Sequence, residues 1–189
     1  MKRLFVAIKL KPDENFLETY NFLKTNLKQD LIKWVKPDVM HLTLKFLGPT
    51  PNEDISKIKY VLENISKKKS PLNFEFDKTG IFGSSYDPRV IWFGITNNEE
   101  IKSFGEDLLN LFHENGFKRD RQNFVPHLTI GRIKKLNNKK HFQSIINKVK
   151  DKKIQSFNVN EIILYQSILK PDGPVYIELG KYNLVGSKE

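Results

Sequence analysis

The sequence contains no cysteine and no long hydrophobic run. The absence of cysteine among its 189 residues excludes disulfides, thiol nucleophiles and Cys-ligated zinc. No apolar stretch approaches the roughly 20 residues of a transmembrane helix, so we expect no membrane association. The first ten residues lack the long hydrophobic region and small-residue cleavage site of a signal peptide. We therefore expect a cytoplasmic protein.

Acidic residues are the minority among the charged residues. The chain has 32 Lys and Arg against 22 Asp and Glu, which gives a net charge of +10. An excess of this size favours an anionic partner, above all nucleic acid, although it is also compatible with a lysine-rich solvated surface. Hydrophobic residues make up 39% and aromatic residues 12% of the chain, which is typical of a folded globular protein.

The same short pattern, His-Leu-Thr followed by an aliphatic residue, occurs twice, beginning at His41 and at His127. Both copies have the apolar character of a strand, in which side chains two residues apart point to the same face. Thr43 and Thr129 therefore share a face with their histidines. If the two strands lie side by side, two imidazoles and two hydroxyls converge at one point.

This constellation suits acid and base chemistry on a phosphate. A neutral imidazole can accept a proton from water while a protonated one donates to a leaving oxygen, and Thr43 and Thr129 can hydrogen-bond phosphate oxygens. Such a scheme needs no cofactor and no metal. The residues that flank the motifs also supply no carboxylate for a two-metal site; they are Met40, Lys45, Pro126 and Gly131. A single motif of this kind is usually structural, whereas its duplication favours a function.

Hydrophobic periodicity predicts the order β α β β α β β α β α β β, with single strands at 72–82 and 154–164. No linker interrupts the chain, so we expect one domain over residues 1–189. The doubled motif indicates an α+β fold with two intertwined lobes, related by a pseudo-twofold axis, that each contribute one motif strand to a central cleft.

Six segments in chain order resemble a known family: 1–10, 34–37, 41–48, 88–92, 124–132 and 164–167. They are similar to the RNA 2′,3′-cyclic phosphodiesterases, the bacterial and archaeal 2′-5′ RNA ligase branch of the two-histidine (2H) phosphoesterase superfamily. The resemblance implies a bilobed pseudo-twofold fold with two antiparallel sheets, flanked by helices, around the cleft.

The resemblance also implies an activity: hydrolysis of a terminal 2′,3′-cyclic phosphate on RNA to a 2′-phosphate. His41 matches the family's proton donor to the departing 3′ oxygen, and His127 matches the base that activates water. Thr43 and Thr129 match its phosphate-binding positions. Arg132 matches a family arginine near the cleft, although strict alternation places it opposite His127 unless the strand bulges.

Two positions depart from the family pattern. Gln166 stands where many relatives have arginine, and Val125 stands where many have threonine. We expect both to lie near the cleft and to affect substrate binding rather than the chemistry.

Other functions remain compatible with the sequence. The same site run in reverse would make a 2′-5′ RNA ligase, and a small cyclic nucleotide such as ADP-ribose cyclic phosphate is an alternative substrate. A non-catalytic RNA-binding module would use charge and stacking by Phe5, Trp34, Phe46 and Trp92, of which alternation assigns Phe46 to the core. We expect the protein to be a monomer.

Overall fold

The computed structural model describes residues 1–84, 86–119, 124–171 and 173–186. Within these ranges the chain forms four α-helices and ten strands. The helices are α1 (Glu14–Asn26), α2 (Ile55–Lys68), α3 (Glu99–Glu114) and α4 (Lys139–Lys148). The strands are β1 (Lys2–Lys9), β2 (Leu31–Trp34), β3 (His41–Thr50), β4 (Leu72–Phe76), β5 (Lys78–Gly83), β6 (Pro88–Gly94), β7 (His127–Lys135), β8 (Gln155–Val159), β9 (Glu161–Lys170) and β10 (Gly173–Asn183). None of these helices has the length and apolar character needed to cross a membrane.

The strands form two four-stranded sheets and one two-stranded sheet. The first sheet has the order β10-β9-β1-β3, and the second sheet has the order β2-β7-β6-β5. Strands β4 and β8 pair only with each other. All of these pairs are antiparallel, so the predicted α+β class with two antiparallel sheets is confirmed.

The two halves of the chain repeat one topology. The first half runs β1-α1-β3-α2-β4-β5 and the second runs β6-α3-β7-α4-β8-β9, with β2 and β10 as additions. The last strand of each half joins the other half's sheet: β5 pairs with β6, and β9 pairs with β1. Neither sheet can therefore be built from one half alone, and the pseudo-twofold relation between the lobes is confirmed.

The two faces of the first sheet have different surroundings. Leu4, Val6 and Ile8 of β1 belong to the main hydrophobic core, which also includes the apolar face of α1. That helix begins where the side chain of Asp13 accepts a hydrogen bond from the amide of Phe16 at 2.8 Å, which satisfies an otherwise free helix donor. The other face carries a separate apolar cluster and borders the cleft; its members are Phe5, Ala7, Ile163 and Tyr165.

The predicted single strands 72–82 and 154–164 are wrong, because each is two strands separated by one polar residue. Asp77 separates β4 from β5, and its Oδ1 accepts a hydrogen bond from the amide of Thr96 at 2.8 Å. Asn160 separates β8 from β9, and its carbonyl accepts from the amide of Leu184 at 2.8 Å. Asp and Asn are poor strand formers, and each break transfers the chain from the two-stranded sheet to a large one.

Candidate active site

The two motif strands, β3 and β7, contact each other although they belong to different sheets. They therefore meet across the cleft rather than pairing as neighbours. Leu42 and Leu128 are fully buried, as the alternation predicted. The histidine and threonine of each motif are half-buried on the opposite, cleft-facing side, so the structure brings both motifs to one cleft.

The imidazoles of the two motif histidines are fixed by equivalent hydrogen bonds to the backbone. Nδ1 of His41 lies 2.9 Å from the carbonyl oxygen of Val39, and Nδ1 of His127 lies 2.8 Å from the carbonyl oxygen of Val125. A carbonyl oxygen only accepts, so Nδ1 carries the proton in both rings. The neutral imidazoles then present an unprotonated Nε2, the nitrogen that is left for proton transfer.

A β-bulge occurs at the same place in both motif strands. In β3 Leu44 has no partner on β1, and in β7 Ile130 has no partner on β6. An inserted residue reverses the alternation of side chains beyond it. Phe46 and Arg132, which occupy matching positions after the bulges, are consequently exposed rather than turned into the core.

The bulge resolves the conflict between alternation and the family pattern at Arg132. The guanidinium lies on the same side of β7 as His127 and is close enough to affect both motif histidines. Burial lowers the pKa of His41 and of His127 below the ordinary value near 6.5, the backbone hydrogen bonds oppose that change, and the charge of Arg132 lowers both pKa values further.

Aromatic rings enclose His41 on the first sheet. Its ring centroid lies 4.9 Å from Phe5, 5.0 Å from Tyr176 and 6.5 Å from Tyr165, and Tyr176 meets the imidazole edge to face at 87°. These rings exclude water from one side of the imidazole, which accounts for the burial that lowers its pKa.

His127 has fewer aromatic neighbours on the second sheet. Phe82 meets its ring edge to face at 4.7 Å. Trp92 lies beside these rings, opposite Thr129 in the register of β6 and β7. Its indole covers two glycines, because a Cβ added to Gly80 would lie 2.2 Å from the indole and one added to Gly94 would lie 2.4 Å from it. The indole of Trp92 on the cleft-facing side of the second sheet therefore requires glycine at both positions.

Two neighbours of the histidines, Tyr176 and Phe82, were not identified from the sequence. Neither belongs to a motif, and each reaches the cleft only through strand register: Tyr176 pairs with Ser167 on β9, and Phe82 pairs with Val90 on β6. Only the turn geometry that sets these registers could have indicated them.

Two sequence-based placements are wrong. Phe46 is 46% exposed because the bulge turns it out of the core, and the guanidinium of Arg3 lies 5.0 Å from its ring centroid. Gln166 pairs with Leu4, whose side chain is in the main core, so Gln166 faces away from the cleft.

Two other residues considered from the sequence contribute differently from what was expected. The side chain of Val125 is 55% exposed, and the residue acts on the site through its carbonyl. Trp34 packs edge to face on Tyr20 at 5.7 Å and is partly buried against the main core rather than in the cleft.

Comparisons with known proteins agree on one family. The family model described as the 2′-5′ RNA ligase superfamily matches residues 12–170. A protein of Methanocaldococcus jannaschii named RNA 2′,3′-cyclic phosphodiesterase is 40% identical over 177 residues, which cover 92% of this chain and 96% of that protein.

Solved structures give the same fold. The crystal structure of TT0787 of Thermus thermophilus superposes with a TM-score of 0.80 at 26% identity and covers 98% of this chain and 100% of its own. That of E. coli LigT complexed with 3′-AMP gives a TM-score of 0.75 at 22% identity, covering 97% and 98%.

Proposed function

The chain belongs to the 2′-5′ RNA ligase superfamily, and we propose that it hydrolyses RNA 2′,3′-cyclic phosphate ends to 2′-phosphates. The observation that carries the proposal is the pair of imidazoles, each fixed through Nδ1 to a backbone carbonyl and each presenting Nε2 to the cleft. The relative from Methanocaldococcus jannaschii bears the name of this activity at 40% identity.

The proposed reaction is attack of water on the cyclic phosphorus, in line with the bond to the 3′ oxygen. His127 takes a proton from the water through Nε2, and His41 donates a proton through Nε2 to the departing 3′ oxygen. The bond from phosphorus to the 3′ oxygen breaks, the bond to the water oxygen forms, and the phosphate stays on the 2′ oxygen. No cofactor or metal takes part in this scheme.

The surroundings of the histidines support this assignment. Among the residues that the structure describes, one aromatic ring contacts His127, and the backbone hydrogen bond of this histidine is exposed, which leaves room for water beside the base. His41 is enclosed by Phe5 and Tyr176, and burial lowers its pKa. A lowered pKa makes the protonated imidazole a stronger acid toward an alkoxide leaving group.

The substrate phosphate changes the charge balance around the two histidines. Burial and Arg132 favour neutral histidines, whereas a bound anion raises the pKa of a nearby imidazole and promotes its protonation. Substrate binding therefore favours a protonated imidazole beside the phosphate, and we assign that proton to His41. Thr43 and Thr129, on the same strand faces as the histidines, hydrogen-bond the non-bridging oxygens, and Arg132 balances their charge.

A ligase reaction would use the same site, and the family's description names it. The 5′-hydroxyl of a second RNA end would take the place of water and attack the cyclic phosphorus, which leaves the two ends joined by a 2′-5′ bond. Hydrolysis is the expected outcome in dilute aqueous solution, because water is the more abundant nucleophile.

The experiment that tests the proposal is product analysis on an RNA oligonucleotide ending in a 2′,3′-cyclic phosphate, with EDTA present. The expected product carries a 2′-phosphate and forms at the same rate with and without the chelator. A 3′-phosphate product, or loss of turnover in EDTA, would contradict the scheme. Adding an RNA with a 5′-hydroxyl end in a parallel reaction separates hydrolysis from ligation.

A further inference from the structure

Beside Arg132 the second sheet carries another cation, Lys33 of β2. The two residues are direct partners in the antiparallel register of β2 and β7, so their side chains leave the sheet on the same face. Strands in a sheet lie about 4.8 Å apart, which puts the two positively charged side chains next to each other.

The face that Lys33 occupies is the cleft face. Its neighbours along β2 are Ile32 and Trp34, both packed against the main core, and a Cβ on Gly131 would come within 3.0 Å of Ile32 and 3.2 Å of Trp34. Alternation places Lys33 on the opposite side from these two. Lys33 is exposed.

Two like charges directly opposite each other destabilise a sheet. The ion pairs found within the part of the chain that the structure describes include neither Lys33 nor Arg132. Because neither cation is paired with a carboxylate there, an anion bound between the two would relieve the repulsion.

On its other side Arg132 has apolar neighbours. The partner of Arg132 on β6 is Val90, and the partner of Val90 on β5 is Phe82. An extended polyanion that leaves the catalytic centre past Arg132 therefore finds a cation toward β2 and apolar surface toward β5. Strand β2 has no counterpart in the first lobe, so this cation is particular to the His127 side.

We propose that Lys33 binds the phosphodiester immediately 5′ to the terminal nucleotide, and that the site is therefore built for RNA chains rather than for cyclic mononucleotides. The inference rests on the proposed function, because it takes the cyclic phosphate to lie between His41 and His127. Arg132 then faces the terminal phosphate, and Lys33, one strand farther from the histidines, faces the next one.

The test compares Lys33→Gln with the unaltered protein on two substrates: a 2′,3′-cyclic mononucleotide with a free 5′-hydroxyl, and an oligonucleotide with the same cyclic terminal nucleotide. KM for the oligonucleotide is expected to rise about tenfold, the size of one hydrogen bond to a charged group, with kcat unchanged. Turnover of the mononucleotide is expected to stay the same. The slope of log affinity against log salt for the oligonucleotide should fall by about 0.7, as for loss of one single-strand phosphate contact.

Two variants control for charge and side-chain shape. Lys59→Gln removes the same charge from the exposed side of α2 and should leave both substrates unaffected, while Lys33→Arg should retain the oligonucleotide KM. An equal loss on both substrates, or no loss on the oligonucleotide, would overturn the inference.

Binding separates failure of this inference from failure of the proposed function. If the unaltered protein turned over neither substrate, the proposed function would be wrong. The equilibrium affinity for an oligonucleotide ending in a 2′-phosphate would then still report on Lys33. An unchanged affinity in Lys33→Gln would overturn the role of Lys33 on its own.

Discussion

Strands β3 and β7 are nearly the same structure built twice. Over seven residues from each histidine they follow the same order of half-buried, buried and exposed positions, and both bulge at the fourth residue. Both histidines are held by the carbonyl two residues earlier. Equal backbones present the two imidazoles alike, so any difference in their roles must come from what surrounds them.

The surroundings differ where the two strands carry different residues. The first position after the bulge is a buried lysine in β3, Lys45, whose Nζ donates to the carbonyl of Lys118 at 2.9 Å, and a glycine in β7, Gly131. The next position is Phe46 in β3 and Arg132 in β7. Rings from two other strands, Phe5 of β1 and Tyr176 of β10, also enclose His41, whereas the second lobe leaves His127 more open and places the charge of Arg132 beside it. This difference supports the assignment of His41 as acid and His127 as base.

Removing either imidazole is the largest perturbation of this comparison. His41→Ala and His127→Ala are each expected to lower kcat by about 10²- to 10⁴-fold, the usual contribution of a general acid or base. Circular dichroism should show an intact fold, because both side chains are only half-buried. The double variant should be little worse than either single one, since the two groups act in one step. Substantial activity in either single variant would disprove the two-histidine mechanism.

Replacing Arg132 tests the electrostatic difference between the lobes. Arg132→Gln is expected to lower kcat/KM by about 10²-fold, as loss of a donor to developing negative charge does. Phe46→Gln, at the matching position of β3, is the control and should have a much smaller effect. Equal losses in the two variants would show that the lobes do not differ in this way.

The pH dependence separates the charge of Arg132 from its contacts. The rate rises as His127 loses its proton and falls as His41 loses its own, and both pKa values are lowered in the free protein. The bell-shaped pH profile of kcat/KM should therefore lie mainly below about pH 6.5, the ordinary pKa of histidine. Its two apparent pKa values describe the pair of histidines rather than either residue alone. Arg132→Gln removes a positive charge that lowers both pKa values, so the bell should move to higher pH. A shift to lower pH, or none, would contradict the coupling.

The smallest expected effect is at Val125, where the family pattern has threonine. Val125→Thr should change kcat/KM by less than about twofold, because the bond that orients His127 comes from the backbone carbonyl and an exposed substitution of this kind should leave the stability of the fold that holds it nearly unchanged. Steady-state kinetics across pH would check this. A clear gain in activity would mean that a side-chain hydroxyl takes part at this position.

What the sequence predicted and what it missed have a common physical reason. The convergence of His41 and His127 followed from alternation along two short strands and from duplication. Alternation did not predict which face of the sheet Arg132 and Phe46 occupy. A single bulged residue reverses the alternation, and no sequence feature of an apolar strand indicates where such a bulge lies. The separation of β4 from β5 at Asp77 depends on a hydrogen bond to a residue 19 positions away in sequence, which local periodicity does not contain.

The most direct test of the assigned acid and base roles is a substrate in which sulfur replaces the 3′ bridging oxygen of the cyclic phosphate. A thiolate leaves without a proton, so the acid becomes dispensable while the base does not. We predict that the sulfur substrate restores turnover by His41→Ala to near that of the unaltered protein and leaves His127→Ala impaired. Rescue of His127→Ala instead, or equal rescue of both variants, would contradict the assignment of His41 as acid and His127 as base.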